Sequence, residues 1–270
     1  MSRWAGCVCA ALVALLAMPA NLAAWGPDGH RAVARVAQAR LTPASRAAIT
    51  ALLGQQSLVD VAIWADEVRS TTHPHTYNWH FTDVPVDART FSRARDCKTD
   101  AERGDCSIAA LERLTAVLRD TTKPQTERRE ALMFIVHIVG DMHQPLHNAE
   151  RNHDRGGNDV MIAEIGQARN LHSAWDSGIV RASGKDESTL AAAAEQWLMS
   201  QDEPAFARGS FIDWSIEGHD IARDIVYAHA ADHRISGPER VEALRIIEKR
   251  IARAGVRLAD VLNKAFATTS

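Results

Sequence analysis

Between Glu130 and His147 the chain reads EALMFIVHIVGDMHQPLH, and no other segment limits the fold as strongly. Its apolar residues follow one another without a period of two, so the stretch reads as a helix apolar around most of its circumference. Such a helix, expected from Thr126 to Met142, belongs at the buried centre of a domain. His137 and Asp141 lie inside it, four residues apart and so on one face. An unpartnered charge there would be costly, which makes a shared divalent ion the economical partner for the pair. Pro145 ends the helix, and the chain then turns to present His147 nearby.

Helical signals run through most of the remaining sequence. Gly29 to Leu41 (GHRAVARVAQARL) is rich in alanine, with apolar residues at helical spacing. Thr42-Pro43 starts a second helix, proline first, that runs to about Leu53. Further helices are expected from Ser107 to Leu118, Leu190 to Met199, Ile216 to Ala231, and Pro238 to about Phe266. The last carries Val241, Leu244, Ile247, Ile251, Leu258 and Leu262 at steps of three or four. Strand signals are scarce: Asp159 to Ile165 suits a short hairpin arm after the Gly156-Gly157 turn. With no repeat or linker to divide the chain, the expected fold is all-α, one mostly helical domain with at most a minor β-hairpin.

The first 24 residues read differently. Arg3, an apolar run from about Val8 to Met18, and Leu22-Ala23-Ala24 before Trp25 have the pattern of a secretory signal peptide. The run falls short of the ~20 residues that span a bilayer, which leaves a retained anchor as the alternative. Cleavage after Ala24 would leave a domain of residues 25–270 with Trp25 as its free amino terminus, secreted or periplasmic. Cys97 and Cys106 would then be the two cysteines of an exported chain. They read as one disulfide closing the loop DCKTDAERGDC, with free thiols as the alternative.

Hydrophobic residues make up 46% and charged residues 24% of 270, which excludes a disordered chain and a multi-span membrane protein. The net charge of −3, one unit lower once Arg3 is removed, excludes non-specific electrostatic clamping of nucleic acid. A polyanionic substrate would have to be drawn in by a local site or by bound cations.

Candidate ligands recur elsewhere. NLHSAWD holds a second pair four apart, His172 and Asp176. Either pair alone reads equally well as a solvated helix ion pair, but the apolar setting of the first argues against that. IWADEVR carries Asp66 and Arg69; YNWHFTDVP carries His80, Phe81 and Asp83. His30 follows Trp25 by five residues, and a free α-amine of unperturbed pKa about 8 can be held deprotonated by a nearby dication. A tryptophan at that position, taken alone, reads as core.

Taken in order, WGPDGH at a processed terminus, WAD-x-x-R, NWHF-x-D, HIVGDMHQPLH, GGND and NLHSAWD resemble the zinc-dependent single-strand nucleases of fungal and plant type. These share a superfamily with bacterial zinc phospholipase C. The resemblance extends from Trp25 to about Tyr227 and implies three zinc ions per chain in a helical cleft. One would be held by Asp66, His80, His137 and Asp141. A second would be held by the amino nitrogen and carbonyl oxygen of Trp25, by His30 and by Asp141 as a bridge. The third would be held by His147, His172 and Asp176. The same resemblance makes Arg69 a phosphoryl partner, Phe81 a platform for a base, and Asn158 and Asp159 neighbours of the base. Asp83 would orient or deprotonate the attacking water.

The implied activity is hydrolysis of single-stranded DNA and RNA to 5′-phosphorylated products, with 3′-mononucleotides as further substrates, by a monomer that engages no membrane. The chemistry agrees, because bridged divalent ions acidify water and clamp the charge that grows on phosphoryl oxygens. Two rivals remain: a zinc phospholipase C-like hydrolase and a non-catalytic periplasmic zinc-binding protein. Of the other histidines, His143 and His219 read as structural, and His73, His75, His153, His229 and His233 as surface residues.

Overall fold

In the computed structural model, which describes residues 25–267, the apolar segment forms the helix Gln125–Asp141. Every residue from Ala131 to Asp141 is buried, so the ligand candidates His137 and Asp141 do sit inside the core. The signal peptide read in residues 1–24 lies outside the described residues.

The surrounding helices begin where the local chemistry says they should. Pro27–Ala39 and Pro43–Leu53 both open on proline, and the Thr42 side chain accepts a hydrogen bond from the Ser45 N–H. Glu187–Leu198, Phe211–Ile221 and Gly237–Ala265 each start from a capping box, built on Asp186, Ser210 and Ser236. Ser107–Arg119 lies along Gln125–Asp141. Pro27–Ala39 packs against Gly237–Ala265 and Glu187–Leu198, burying Val33, Val36 and Ala37. The domain is thus mostly helical, as expected.

Three differences have local causes. The helix expected from Ile216 starts at Phe211, because the Ser210–Asp213 box caps it earlier; it widens into a π-helical turn at Ala222–Val226 and ends at His229. The short helices Leu58–Val61, Trp64–Val68, Arg93–Asp96 and Glu203–Phe206, and the 3₁₀ turn Pro74–His80, are too brief to show a period. His73 is less of a surface residue than expected: its ring meets Trp64 and Phe134 edge-on.

The only strands among the described residues, Met161–Ile165 and Ala168–Asn170, form an antiparallel hairpin. Met161 lies opposite Asn170 and Ile165 opposite Ala168, with a register irregularity between them. Cys97 and Cys106 are joined by the expected disulfide. No single helix among the described residues is long and apolar enough to cross a membrane.

Candidate functional site

Asp141, at the C-terminal end of the central helix, is the hub of the site. Its Oδ1 lies 3.2 Å from His30 Nε2, while its Oδ2 lies 2.8 Å from His80 Nδ1 and 3.2 Å from His137 Nε2. The two carboxylate oxygens therefore face different imidazoles, the arrangement needed to bridge two ions. Asp66 Oδ1 completes the second side, 3.5 Å from His137 Nε2 and 3.7 Å from His80 Nδ1. Potential ligand atoms converge in three groups: His30, His137 and Asp141; Asp66, His80 and His137; and His147, His172 and Asp176. Within each group they lie within 4.8 Å of one another.

Local structure explains how the donors are aimed. The Nδ1–H of His137 donates to the Ala62 carbonyl at 2.7 Å, and that of His147 to the His80 carbonyl at 2.8 Å. The Nδ1–H of His172 donates to the Gly156 carbonyl at 2.7 Å. Each bond engages Nδ1 and leaves Nε2 aimed at the site. Burial disfavours the charged ring, but Asp141 and Asp66 raise the His137 imidazole to about 10, and Asp176 and Asp141 raise that of His147, so there a cation would displace a proton. The Nε2 atoms of His30, His137 and His147, with Asp66 Oδ1 and Asp141 Oδ1, are buried and lack a hydrogen-bond partner. So many orphaned polar atoms in one place fit a site built for cations. The His30 ring stacks on His137 with centroids 3.9 Å apart, room that Gly140 provides: a Cβ there would lie 2.8 Å from His30 Nδ1. Burial holds the imidazoles of His30, His80 and His172 below the ordinary histidine range, which keeps them neutral and able to ligate.

The third group is organised by residues with no periodic signature. His172 Nε2 lies 3.3 Å from Asp176 Oδ2, and His147 Nε2 lies 3.6 Å from Asp176 Oδ1. Asp176 sits in the π-helical turn Ala174–Gly178, a widened turn of a type frequent at functional sites. Gln144, fully buried, donates from Nε2 to Asp176 Oδ1 at 2.5 Å while its Oε1 accepts from the Leu146 N–H. Asn148 braces the same turn through the carbonyls of Met142 and Gln144. Both amides were missed in the sequence; their only signal is their place in HQPLHN, beside candidate ligands. Trp25 is buried, and the Gly26 N–H donates to the Asp176 carbonyl at 2.7 Å, mooring this end of the described chain beside the third group.

A cleft of about 330 Å³ opens beside the third group. Arg69, Phe81, Asp83 and Asn158 line it together with His147 and His172. Arg69 is buried, 3.5 Å from Asp66 Oδ1, with its guanidinium over the Tyr77 ring. Burial pushes the Asp83 carboxyl up to about 7; Glu150 and Asp154 add to the shift, and His147 opposes it. Asp159 is not part of the lining: four residues after Arg155, it forms an exposed ion pair with that side chain. His143 and His219 are buried structural histidines, bonded to Val139 and Arg257 and to the Pro85 carbonyl respectively.

A helical domain with three buried His/Asp groups, one of them lining a cleft with arginine and aromatic side chains, has the attributes of a metal-dependent phosphodiester hydrolase. The sequence matches the S1/P1 nuclease family model over residues 25–267, and the chain belongs to that family. It is 30% identical to Endonuclease 2 of Arabidopsis thaliana, over 93% of this chain and 94% of the relative. Nuclease P1 of Penicillium citrinum is 30% identical over 89% and 97% of the two chains, and Nuclease S1 of Aspergillus oryzae 29% over 93% and 94%.

Proposed function

We propose that this nuclease is an exported zinc enzyme that hydrolyses single-stranded DNA and RNA to 5′-phosphorylated products and also removes phosphate from 3′-mononucleotides. The observation that carries this reading is the convergence of three His/Asp groups, the third of which lines, through His147 and His172, the cleft that also holds Arg69 and Phe81. Asp66, His80, His137 and Asp141 would hold one ion; His30, Asp141 and the amine and carbonyl of Trp25 a second; His147, His172 and Asp176 the third. Nitrogen and oxygen donors without thiolate suit zinc in a hydrolytic site. Bound dications supply water of lowered pKa and neutralise charge on the phosphoryl oxygens.

The chain's own groups do the rest. Arg69, oriented by Asp66, holds a phosphoryl oxygen as the charge grows. Asp83, on the same cleft wall, takes the proton of the attacking water. Phe81, half-buried at the cleft wall, offers a face to one base, and only an unpaired base can present its own face in return. Asn158 lies within reach of the base edge. Export matters to the site itself, because the Trp25 amine exists only after cleavage at Ala24.

The test is chromatography of products from single-stranded DNA incubated with the protein beginning at Trp25, with and without a chelator. Release of 5′-mononucleotides that chelation abolishes and zinc restores is expected. No release from the zinc-loaded protein would overturn the reading.

A further inference from the structure

Two hollows meet at Phe81. The cleft of about 330 Å³ and a neighbour of about 190 Å³ share Asn78, Phe81 and Asp83 as a common wall. The disulfide loop Cys97–Cys106 reaches both: it contributes Arg103 to the first, whereas the second, where Lys98 lies, is also lined by the carboxylates of Asp83, Asp96, Asp105 and Glu150 and is unsuited to an anion. Both cations are exposed and neither forms an ion pair among the described residues, whereas the nearby Arg95 and Arg113 are paired with Asp96 and Asp105.

The loop holds Arg103 firmly. Asp100 and Gly104 exchange backbone hydrogen bonds of 2.9 Å, and Asp100 Oδ1 accepts from the N–H groups of Glu102 and Arg103 at 2.8 Å each. The Arg103 carbonyl accepts from the Asn78 N–H at 2.9 Å, and Asn78 Nδ2 donates to the Gly104 carbonyl at 3.2 Å. Gly104 has φ +85°, and a Cβ there would lie 2.3 Å from the His75 carbonyl oxygen, so the loop is seated directly on the Pro74–His80 turn. The guanidinium is held 4.5 Å from the Tyr77 ring centroid. Anchored and without a carboxylate partner, it is ready for an anion at little ordering cost.

We propose that the Cys97–Cys106 loop is a strand clamp, in which Arg103 holds a backbone phosphate next to the nucleotide stacked on Phe81, other than the phosphate at the metal groups. The proposal rests on the single-strand nuclease reading and extends it from one nucleotide to a polynucleotide backbone. It makes binding depend on strand length, because the single internal phosphate of a dinucleotide is taken by the metal groups and only a longer strand has another for Arg103.

The experiment compares KM and kcat for a dinucleotide and for a longer single-stranded oligonucleotide at several salt concentrations, using the metal-loaded mature enzyme. Arg103→Ala is expected to raise KM for the oligonucleotide about tenfold, as for a lost charge-assisted contact, with kcat changing far less. Arg103→Ala should also lower the slope of log KM against log salt by about 0.7, as for one lost phosphate contact, and affect the dinucleotide less. Arg103→Lys should restore most of the salt slope. Lys264→Ala, which removes one exposed charge from the Gly237–Ala265 helix, should change neither quantity. An Arg103→Ala variant with wild-type KM and salt slope, in an enzyme that cleaves single strands, overturns the clamp alone. A loaded wild-type enzyme that cleaves no single strand overturns the clamp and the substrate reading together.

Discussion

Asp141 shows how much one side chain can organise. Its oxygens face His30 on one side and His80 with His137 on the other. Asp141→Asn should therefore cost two ions and lower turnover by more than about 100-fold, since even groups that only support ligands are worth 10–100-fold. Metal analysis beside the rate separates this from a purely catalytic loss. Asp83→Asn should keep the metals while the rate falls roughly 10²–10⁴-fold, the usual contribution of a general base; a normal rate would remove Asp83 from the mechanism. Gln144→Ala should weaken metal binding at the third group by roughly 10- to 100-fold, read as a shifted zinc titration. His137 and Asp141 were legible because polar residues inside an apolar helix call for a partner. Gln144 was not, because the carboxylate it holds lies 32 residues away. Asp159 stands outside the cleft lining because Arg155, four residues earlier in the loop, pairs with it.

Among elements, length decided what could be read. The helices of eleven residues or more announced themselves through apolar spacing, a leading proline or a cap, as Pro43–Leu53 did. The pieces that aim the donors are shorter: Trp64–Val68 carries Asp66, Pro74–His80 ends on His80, and Pro145–Asn148 carries His147. Their residues were recognisable through motif resemblance, while the turns that orient them follow from tertiary contacts. The π-helical turn under Asp176 has no sequence period at all. The proposed start of the mature chain at Trp25 belongs to this scale too. One extra residue before Trp25 would convert the α-amine into an amide, which should cripple one metal site. Full activity of such a protein, its terminus verified by mass, would remove Trp25 from the ligand set.

At the scale of the whole molecule, a buried polar network ties the Gly237–Ala265 helix to the end of the central one. Arg250 Nε donates to the His143 carbonyl at 2.8 Å, and Arg257 Nη1 lies 3.0 Å from His143 Nε2. Glu217 accepts from both arginines, at 3.0 Å from Arg250 and 2.7 Å from Arg257. Burial alone would raise the Glu217 carboxyl, but the Arg257 bond and the charges of Arg257, Arg250 and Arg253 bring it down to about 2. A carboxyl depressed on folding contributes stability that is present above its ordinary value of about 4.5 and lost as pH falls toward 2. Glu217→Gln should thus lower the melting temperature at neutral pH, with the gap to wild type closing below about 4.5. The metals should leave in acid as well, because their histidine and carboxylate ligands must be deprotonated to bind.

The metal content of the mature protein tests the three-group centre most directly. Protein beginning at Trp25 would be loaded with zinc, dialysed and analysed for zinc per chain, alongside Asp141→Asn. Three zinc ions per wild-type chain, one for each group of converging donors, and one in the variant are expected. A correctly processed wild-type chain that retains one zinc ion or none would contradict it.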